Sequence, residues 1–166
     1  NEKKVPIYIY DRLDEPTRGM LEENLAYAEG GGVAVTFSTG MAAVSAALGV
    51  TVGAGDEIIA HHAMYGCTYS LLSNWYPRYN IPTHFCDLTH PKNFKSLINP
   101  KTRVVYFETP VNPNLDLIDI QAIRTVIERA NQDRPFGKKI LMVIDNTFST
   151  FYCQRPLQMG ADMVVY

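Results

Sequence analysis

The chain has 166 residues, of which 46% are hydrophobic and 19% are charged, and its formal net charge is -2. These values are typical of one globular domain with a sizeable core, they favour neither a nucleic-acid partner nor a membrane-surface partner, and no apolar run is long enough to span a bilayer. The cysteines Cys67, Cys86 and Cys153 are widely spaced and odd in number, so they indicate neither a disulfide framework nor a zinc site, and we expect a reducing cytoplasm.

Short apolar strands alternate with helices along the chain. The first predicted helix has Pro16 at its first turn and ends at the glycines of residues 30–32. Residues 33–37 then read as a buried strand. Further helices are predicted at residues 40–48, 66–75, 92–98 and after Asp119, and further strands at residues 56–60, 83–86, 103–107, 139–144 and 162–166.

This alternation predicts an α/β fold with a parallel, doubly wound sheet. In such a sheet, ligands bind beyond the carboxyl ends of the strands. The residues that follow each predicted strand are therefore the first candidates for a site.

Residues 38–41, Ser-Thr-Gly-Met, lie between a predicted strand and a predicted helix. A helix start presents free backbone N–H groups and the positive end of the helix dipole, so this segment could bind a phosphate. The alternative is an ordinary N-cap turn, because Ser and Thr are common at that position. The glycines of residues 30–32 precede a predicted strand, and neither G-x-G-x-x-G nor a P-loop is present, which argues against a dinucleotide or NTP site.

Two carboxylates follow predicted strands. Asp145 follows the apolar run of residues 140–144, where it could pair with the protonated nitrogen of a pyridine ring, or it could cap the next loop. Glu108 ends the strand of residues 103–107, and Asn112 precedes a proline in what could be a simple turn.

Tyr65 and Cys67 follow the strand of residues 56–60. Tyr65 could stack on a flat ring and exchange a proton, or it could pack at the edge of the core. Cys67 could be a reactive thiol or a small buried hydrophobe. We interpret the neighbouring pair His61 and His62 as solvated or packed histidines, because no acidic or cysteine partner lies at a metal-ligand spacing.

The order of these signals is more specific than any one of them. Together they resemble the pyridoxal-phosphate (PLP) enzymes of Cys/Met metabolism, which include the cystathionine lyases and synthases, methionine γ-lyase and O-acetylhomoserine sulfhydrylase. The resemblance runs from about Tyr10 to the last residue, and it departs from the usual Gly-Asn at Asp14 and Glu15. It is carried by Tyr10-Asp11-Arg12, Ser38-Thr39-Gly40-Met41, Tyr65-Gly66-Cys67-Thr68, Glu108-Thr109-Pro110-Val111-Asn112-Pro113, Asp145-Asn146-Thr147-Phe148 and Gly160-Ala161-Asp162.

The resemblance implies the PLP-binding large domain of the aspartate-aminotransferase fold (fold type I), with a mostly parallel sheet and helices on both faces. It implies PLP as cofactor and an amino acid as substrate, with no metal. The implied catalytic residues are Tyr65, Cys67 and Asp145. The implied cofactor-binding residues are Tyr10, Arg12, Ser38, Thr39, Gly40, Met41, Tyr65, Glu108, Asn112, Asp145 and Thr147.

Within that set the resemblance implies a distinct role for several residues. The N–H groups of Gly40 and Met41 bind the phosphate, and Asp145 pairs with the pyridine nitrogen. Tyr65 stacks on the ring, and Asn112 lies near the ring hydroxyl.

The resemblance also implies a homo-oligomer, a dimer of dimers, whose sites are shared between chains. In it, residues 1–15 form a segment that carries Tyr10 and Arg12 to the phosphate of a neighbouring subunit. Residues 16–166 would then be an incomplete large domain that stops before the cofactor lysine, without the C-terminal domain. We expect the polypeptide to continue after Tyr166 with Ser, any residue, Thr and Lys, and we expect this lysine to carry PLP.

Cys67 is similar to the cysteine found in methionine γ-lyases, whereas the other enzymes of the family usually have glycine there. This residue implies elimination of methanethiol from methionine, with 2-oxobutanoate and ammonia as the other products. The alternatives are cystathionine γ-lyase, cystathionine γ-synthase and O-acetylhomoserine sulfhydrylase activity. A non-catalytic scaffold with the same fold is the alternative of another class.

Overall fold

A computed structural model describes residues 8–166, so the beginning of the predicted segment 1–15 lies outside the described residues. The chain divides into two compact units, the first ending at Thr36 and the second spanning Phe37–Tyr166. Each unit has its own internal contacts and is described here by itself.

Helix α1, Pro16–Glu29, is the main element of the first unit. The carboxylate of Glu15 accepts hydrogen bonds from the backbone N–H groups of Thr17, at 3.2 Å, and Arg18, so it caps the free N–H groups of the first turn. At the other end, Gly30 ends the helix in the left-handed region at a φ of 70°. Both predicted ends of this helix are confirmed. Glu15, where the sequence departs from the family pattern, caps the helix with its side chain.

The predicted strand at residues 33–37 is wrong. No strand of the described residues pairs with this segment, and the side chains of Val33 and Val35 are exposed. The N–H and hydroxyl groups of Thr36 both donate to Glu22 Oε1 at 2.8 Å, and the N–H bond is the main cause of a lowered Glu22 pKa. The β-branched residues suit a strand, but without a neighbouring strand their backbone groups take a side-chain partner instead.

The second unit is built on one parallel sheet of five strands in the order β2-β1-β3-β4-β5. The predicted strands 56–60, 83–86, 103–107, 139–144 and 162–166 are all confirmed to within two residues at each end. The order places β1, β3 and β4 in the interior of the sheet, where long apolar runs are expected. The strands are β1 Glu57–His61, β2 Thr83–Cys86, β3 Thr102–Glu108, β4 Leu141–Asp145 and β5 Met163–Val165.

Helix α2, Gly40–Gly49, precedes β1, and four helices connect the strands: α3 Gly66–Ser70, α4 Lys92–Lys95, α5 Ile120–Asn131 and α6 Thr150–Cys153. The predicted helix 66–75 begins as α3 and continues as a π-helical turn, Leu71–Trp75. The predicted helix 92–98 is only one turn long, and α5 begins after the predicted cap Asp119, which accepts a hydrogen bond from Ala122 N. None of the helices within residues 8–166 is both long enough and apolar enough to cross a membrane.

The sheet has an apolar layer on each face. On one face, Val44 and Leu48 of α2 pack with Ile58 of β1. On the other, Ile123 and Ile127 of α5 pack with residues such as Ile59. Because successive strand residues point to opposite faces, the sheet is anchored on both sides, and its carboxyl edge is held rigidly.

His61, the last residue of β1, is fully buried. Its Nδ1 accepts a hydrogen bond from Leu88 N at 3.0 Å, so the neutral ring carries its proton on Nε2. His62 and Asp87 bring their ligand atoms within 4.8 Å of those of His61, a cluster that sequence spacing did not show. Since neither ring nitrogen of His61 then offers a free lone pair, the geometry supports a packed histidine rather than a metal ligand.

We predict that the burial of His61 makes the protein less stable at mildly acidic pH. Burial lowers the pKa of His61, and the neighbouring His62 lowers it further. The unfolded chain takes up a proton as the pH falls through about 6.5, whereas the folded chain does not until a lower pH, so stability present above about pH 6.5 is lost below it. His61→Asn keeps an acceptor for Leu88 N but cannot titrate.

Denaturant unfolding of the intact protein between about pH 7.5 and 5 measures this effect. The free energy of unfolding should fall less steeply with decreasing pH in His61→Asn than in the wild type, by up to about 1.4 kcal/mol per pH unit. His90→Asn, at an exposed histidine, is the matched control and should follow the wild type. Equal slopes in all three proteins would show that His61 does not set the acid limit.

Candidate functional site

A cavity of about 560 Å³ lies at the carboxyl edge of the sheet. It is enclosed by the ends of β3 and β4, the loop after β1, the start of α2 and Tyr166, and all its lining residues belong to the second unit. This is where ligands bind in parallel α/β sheets. The predicted site residues that line it are Thr39, Gly40, Met41, Tyr65, Glu108, Asn112, Asp145 and Thr147.

The amino end of α2 forms one wall of the cavity. The hydroxyl of Thr39 accepts a hydrogen bond from Ala42 N at 3.1 Å, which caps the helix. No acceptor within residues 8–166 contacts the N–H groups of Gly40 and Met41, so both remain available to an anion. Ser38 is exposed and does not line the cavity.

Gly40 is required by a close backbone approach. A Cβ atom at this position would lie 3.0 Å from the carbonyl oxygen of Tyr166, closer than nine in ten real contacts of this kind. A glycine therefore lets the start of α2 lie directly against the end of the chain's last strand.

Asp145 is the last residue of β4, and one of its carboxylate oxygens is more strongly hydrogen-bonded than the other. Its Oδ1 accepts a hydrogen bond from Thr147 N at 3.0 Å, whereas Oδ2 lies 3.5 Å from the hydroxyl of Tyr106, at the outer limit of a hydrogen bond. Oδ2 can therefore accept a stronger donor from within the cavity. Burial raises the pKa of Tyr106 well above its ordinary value, and the charge of Asp145 adds to this shift, so the phenol stays a hydrogen-bond donor.

Glu108 is the neighbour of Asp145 across the β3–β4 ladder, and only 4% of its surface is exposed. Its Oε1 accepts a hydrogen bond from Tyr65 N at 2.7 Å, and Oε2 accepts one from Asn112 N at 3.2 Å. Burial raises its pKa, the bond from Tyr65 lowers it, and the nearby charge of Asp145 raises it. Both oxygens of Glu108 are thus engaged by the protein backbone.

Tyr65 stands at the start of α3 with its ring partly exposed along the cavity. Cys67 is exposed and lies outside the cavity lining, but its side chain interacts with the hydroxyl of Tyr65. This hydrogen bond is the main cause of a raised Tyr65 pKa. Of these two predicted catalytic residues, Tyr65 lines the cavity and Cys67 does not.

Two polar residues near the cavity were not predicted from the sequence. Thr68 lines the cavity, and its hydroxyl lies 3.6 Å from the sulfur of Met41. It follows Tyr65 by three residues, a spacing that puts both on one face of a helix. Tyr106 lies in the middle of an apolar strand, where a tyrosine resembles any other core residue, so no signal separated it.

Tyr10 and Arg12 belong to the first unit. There the Arg12 guanidinium lies 4.6 Å above the centre of the Tyr10 ring, and both side chains are exposed. Their predicted role at a neighbouring subunit's phosphate stays a prediction.

A second cavity, of about 580 Å³, lies at the amino ends of β3, β4 and β5. Its cations already have partners: Arg124 pairs with Glu128 and Asp162, and Arg103 donates to the carbonyl of Lys139. It lacks the combination found in the carboxyl-edge cavity, where a free helix N-terminus occurs together with a carboxylate oxygen that can still accept a hydrogen bond. The carboxyl-edge cavity, in contrast, offers free N–H groups that can bind an anion and a carboxylate oxygen that can accept a further hydrogen bond.

Comparison with protein families supports this chemistry. The family described as Cys/Met metabolism PLP-dependent enzyme matches residues 1–166. A protein named L-methionine gamma-lyase from Porphyromonas gingivalis is 41% identical to the chain over 159 residues, which are 96% of the chain and 38% of that protein.

Two further relatives carry other names. A protein named O-acetyl-L-homoserine sulfhydrylase from Leptospira meyeri is 41% identical over 95% of the chain and 34% of its own length. A protein named cystathionine gamma-synthase/O-acetylhomoserine (thiol)-lyase from Bacillus subtilis is 35% identical over 95% of the chain and 40% of its own length. The chain thus spans well under half the length of the curated relatives it matches.

We predict that Gly40→Ala weakens PLP binding without unfolding the protein. The added Cβ would meet the Tyr166 carbonyl at 3.0 Å, so Tyr166 or the start of α2 must give by a few tenths of an ångström, and we expect the N–H groups of the helix start to lose their alignment. Titration of the PLP-free intact protein should show a dissociation constant roughly tenfold higher, the effect of losing about one good hydrogen bond to a charged group. Gly49→Ala, in the same helix with nothing within 4 Å, is the matched control. Equal affinities of the two variants would refute this role of Gly40.

Proposed function

From the premise that the chain belongs to the Cys/Met metabolism PLP-dependent enzyme family, we propose that it is part of a PLP-dependent lyase of sulfur amino acids. We propose methionine as the substrate, cleaved by γ-elimination to methanethiol, 2-oxobutanoate and ammonia. The observation that carries the proposal is the carboxyl-edge cavity, whose donors and acceptors match the charges of PLP.

The residues of the cavity fit this cofactor. The free N–H groups of Gly40 and Met41 suit a phosphate. Oδ2 of Asp145 suits a protonated pyridine nitrogen, and the ring of Tyr65 offers a stacking surface. Asn112 and Thr147 line the same cavity, and we assign them to the ring hydroxyl and the ring edge.

When bound, PLP would supply an electron-withdrawing ring that stabilises negative charge next to the reacting carbon. Asp145 contributes by holding a proton on the ring nitrogen through Oδ2. Thr147 N fixes the other oxygen of that carboxylate at 3.0 Å, so its orientation does not depend on the ligand.

Tyr65 and Cys67 are the proposed acid pair at the rim. Because hydrogen bonding with Cys67 raises the pKa of Tyr65, the phenol stays protonated at neutral pH. It can then donate its proton to the sulfur of the leaving methanethiol. We assign Cys67 the role of keeping this hydroxyl protonated, since hydrogen bonding with its side chain is the main cause of the raised pKa.

The proposal extends to assembly. Tyr10 and Arg12 would reach the phosphate in a neighbouring subunit of a homo-oligomer, a dimer of dimers, because a guanidinium fork suits a phosphate. In this arrangement residues 16–166 are part of the large PLP-binding domain. We assign the cofactor lysine to the continuation of the polypeptide.

γ-Replacement is the second candidate. It is favoured by one observation, the 41% identity to the protein named O-acetyl-L-homoserine sulfhydrylase, which equals the identity to a protein named L-methionine gamma-lyase. The two reactions share the cavity and differ in the group that attacks or leaves.

Product analysis of the intact protein separates these candidates. Incubated with PLP and L-methionine alone, it should release methanethiol, 2-oxobutanoate and ammonia in equal amounts. Parallel incubations with cystathionine, and with O-acetylhomoserine plus sulfide, provide the comparison. A kcat/KM at least tenfold higher for O-acetylhomoserine plus sulfide than for methionine would replace the lyase proposal with γ-replacement.

Asp145→Ala and Asp145→Asn should each lose most of the turnover and keep the fold. Neither side chain can stabilise a proton on a ring nitrogen, so the cofactor loses its electron-withdrawing character. We expect kcat to fall at least about a hundredfold, which corresponds to roughly 3 kcal/mol in the barrier. The exposed Asp133→Asn is the control for a lost carboxylate and should keep full activity. Near-normal turnover in the Asp145 variants, with a normal circular-dichroism spectrum, would show that another group holds the ring nitrogen.

A further inference from the structure

Glu108 connects two segments that both line the cavity. Tyr65 lies after β1, 43 residues before Glu108, and Asn112 lies in the loop that follows β3. The same carboxylate accepts the backbone N–H of both, at 2.7 and 3.2 Å. Both contacts go to backbone atoms, so they do not occupy the side chains of Tyr65 and Asn112, which line the cavity.

We infer that Glu108 is a positioning residue whose carboxylate fixes the spacing between Tyr65 and Asn112. It thereby sets where the stacking ring and the amide lie relative to each other. The benefit of this role to the cofactor rests on the proposed function, whereas the positioning of the two segments is a property of the protein alone.

The environment of Glu108 supports an active use of its charge. A carboxylate that is only 4% exposed loses most of its hydration, and this cost is offset only by hydrogen bonds to the charged form. Two N–H donors supply those bonds. A side chain that only filled space here would be apolar, because an apolar group avoids the cost altogether.

Glu108 and Asp145 divide two tasks between two neighbouring carboxylates. They are paired in register on β3 and β4, and both line the cavity. Glu108 has both oxygens engaged by backbone donors, whereas Asp145 keeps Oδ2 open apart from the 3.5 Å contact with Tyr106. Glu108 therefore binds groups of the protein, whereas Asp145 is available to bind the ligand.

Glu108→Gln and Glu108→Ala separate this role from simple packing. The amide of Gln has nearly the same shape, but it has one acceptor oxygen and one donor nitrogen. Its oxygen should keep the shorter bond, to Tyr65 N, and its nitrogen would then face the N–H of Asn112, donor against donor. The alanine variant loses both bonds.

Amide hydrogen exchange of the intact protein, with PLP removed, is the primary measurement. Peptides covering Asn112 should exchange roughly tenfold faster in Glu108→Gln, and those covering Tyr65 should change less. In Glu108→Ala, both segments should exchange at least that much faster. Glu57→Gln is the matched control, since it removes a partly buried, hydrogen-bonded carboxylate at the other end of the sheet and should leave both segments unchanged.

The visible circular-dichroism band of bound PLP is the second readout. It depends on how the ring is held against the protein, so Glu108→Ala should weaken it while Glu57→Gln leaves it as in the wild type. Unchanged exchange at both segments in both Glu108 variants would overturn the positioning role. The exchange experiment contains no cofactor and no substrate, so its result is independent of the reaction. If the Glu108 variants exchange faster but the protein neither binds PLP nor cleaves an amino acid, the positioning role is supported and the proposed function is refuted.

Discussion

The parallel arrangement of the strands is the constraint on which the site depends. Because β1, β3, β4 and β5 all run in the same direction, the residues that follow them come out at one edge of the sheet. Tyr65, Glu108, Asp145 and Tyr166 lie tens of residues apart in sequence and line one cavity of about 560 Å³ for this reason alone. The apolar layers on both faces hold that edge in place.

The charges at this edge are arranged for a ligand with two different ends. The start of α2 offers N–H groups to the cavity, and two neighbouring carboxylates also line it. A buried carboxylate beside a partly buried one is repelled by it, and the pKa of Glu108 is indeed raised by burial and by Asp145. The backbone donors from Tyr65 and Asn112 offset this for Glu108, while Asp145 remains suited to a cationic partner.

Much of this was predictable from the sequence, and the failures have physical causes. The five strands of the sheet and the helix ends at Pro16 and Gly30 follow from apolar periodicity and local capping, which act within a few residues. Residues 33–37 have the composition of a strand but no strand partner among the described residues, and composition does not show whether a partner exists. The same limit applies to the site. Residue types and their order pointed to the eight predicted residues that line the cavity. The contact of Tyr106 with Asp145 and the two backbone hydrogen bonds of Glu108 depend on side-chain geometry, which the sequence does not show.

A structure of the intact protein with PLP bound tests the central claim most directly. The account predicts the phosphate against the N–H groups of Gly40 and Met41, the pyridine nitrogen within hydrogen-bond distance of Asp145 Oδ2, and the ring against Tyr65. PLP in the cavity at the amino ends of the strands, beside Arg103 and Arg124, would contradict it. So would a ring turned over in the carboxyl-edge cavity, with its nitrogen far from Asp145.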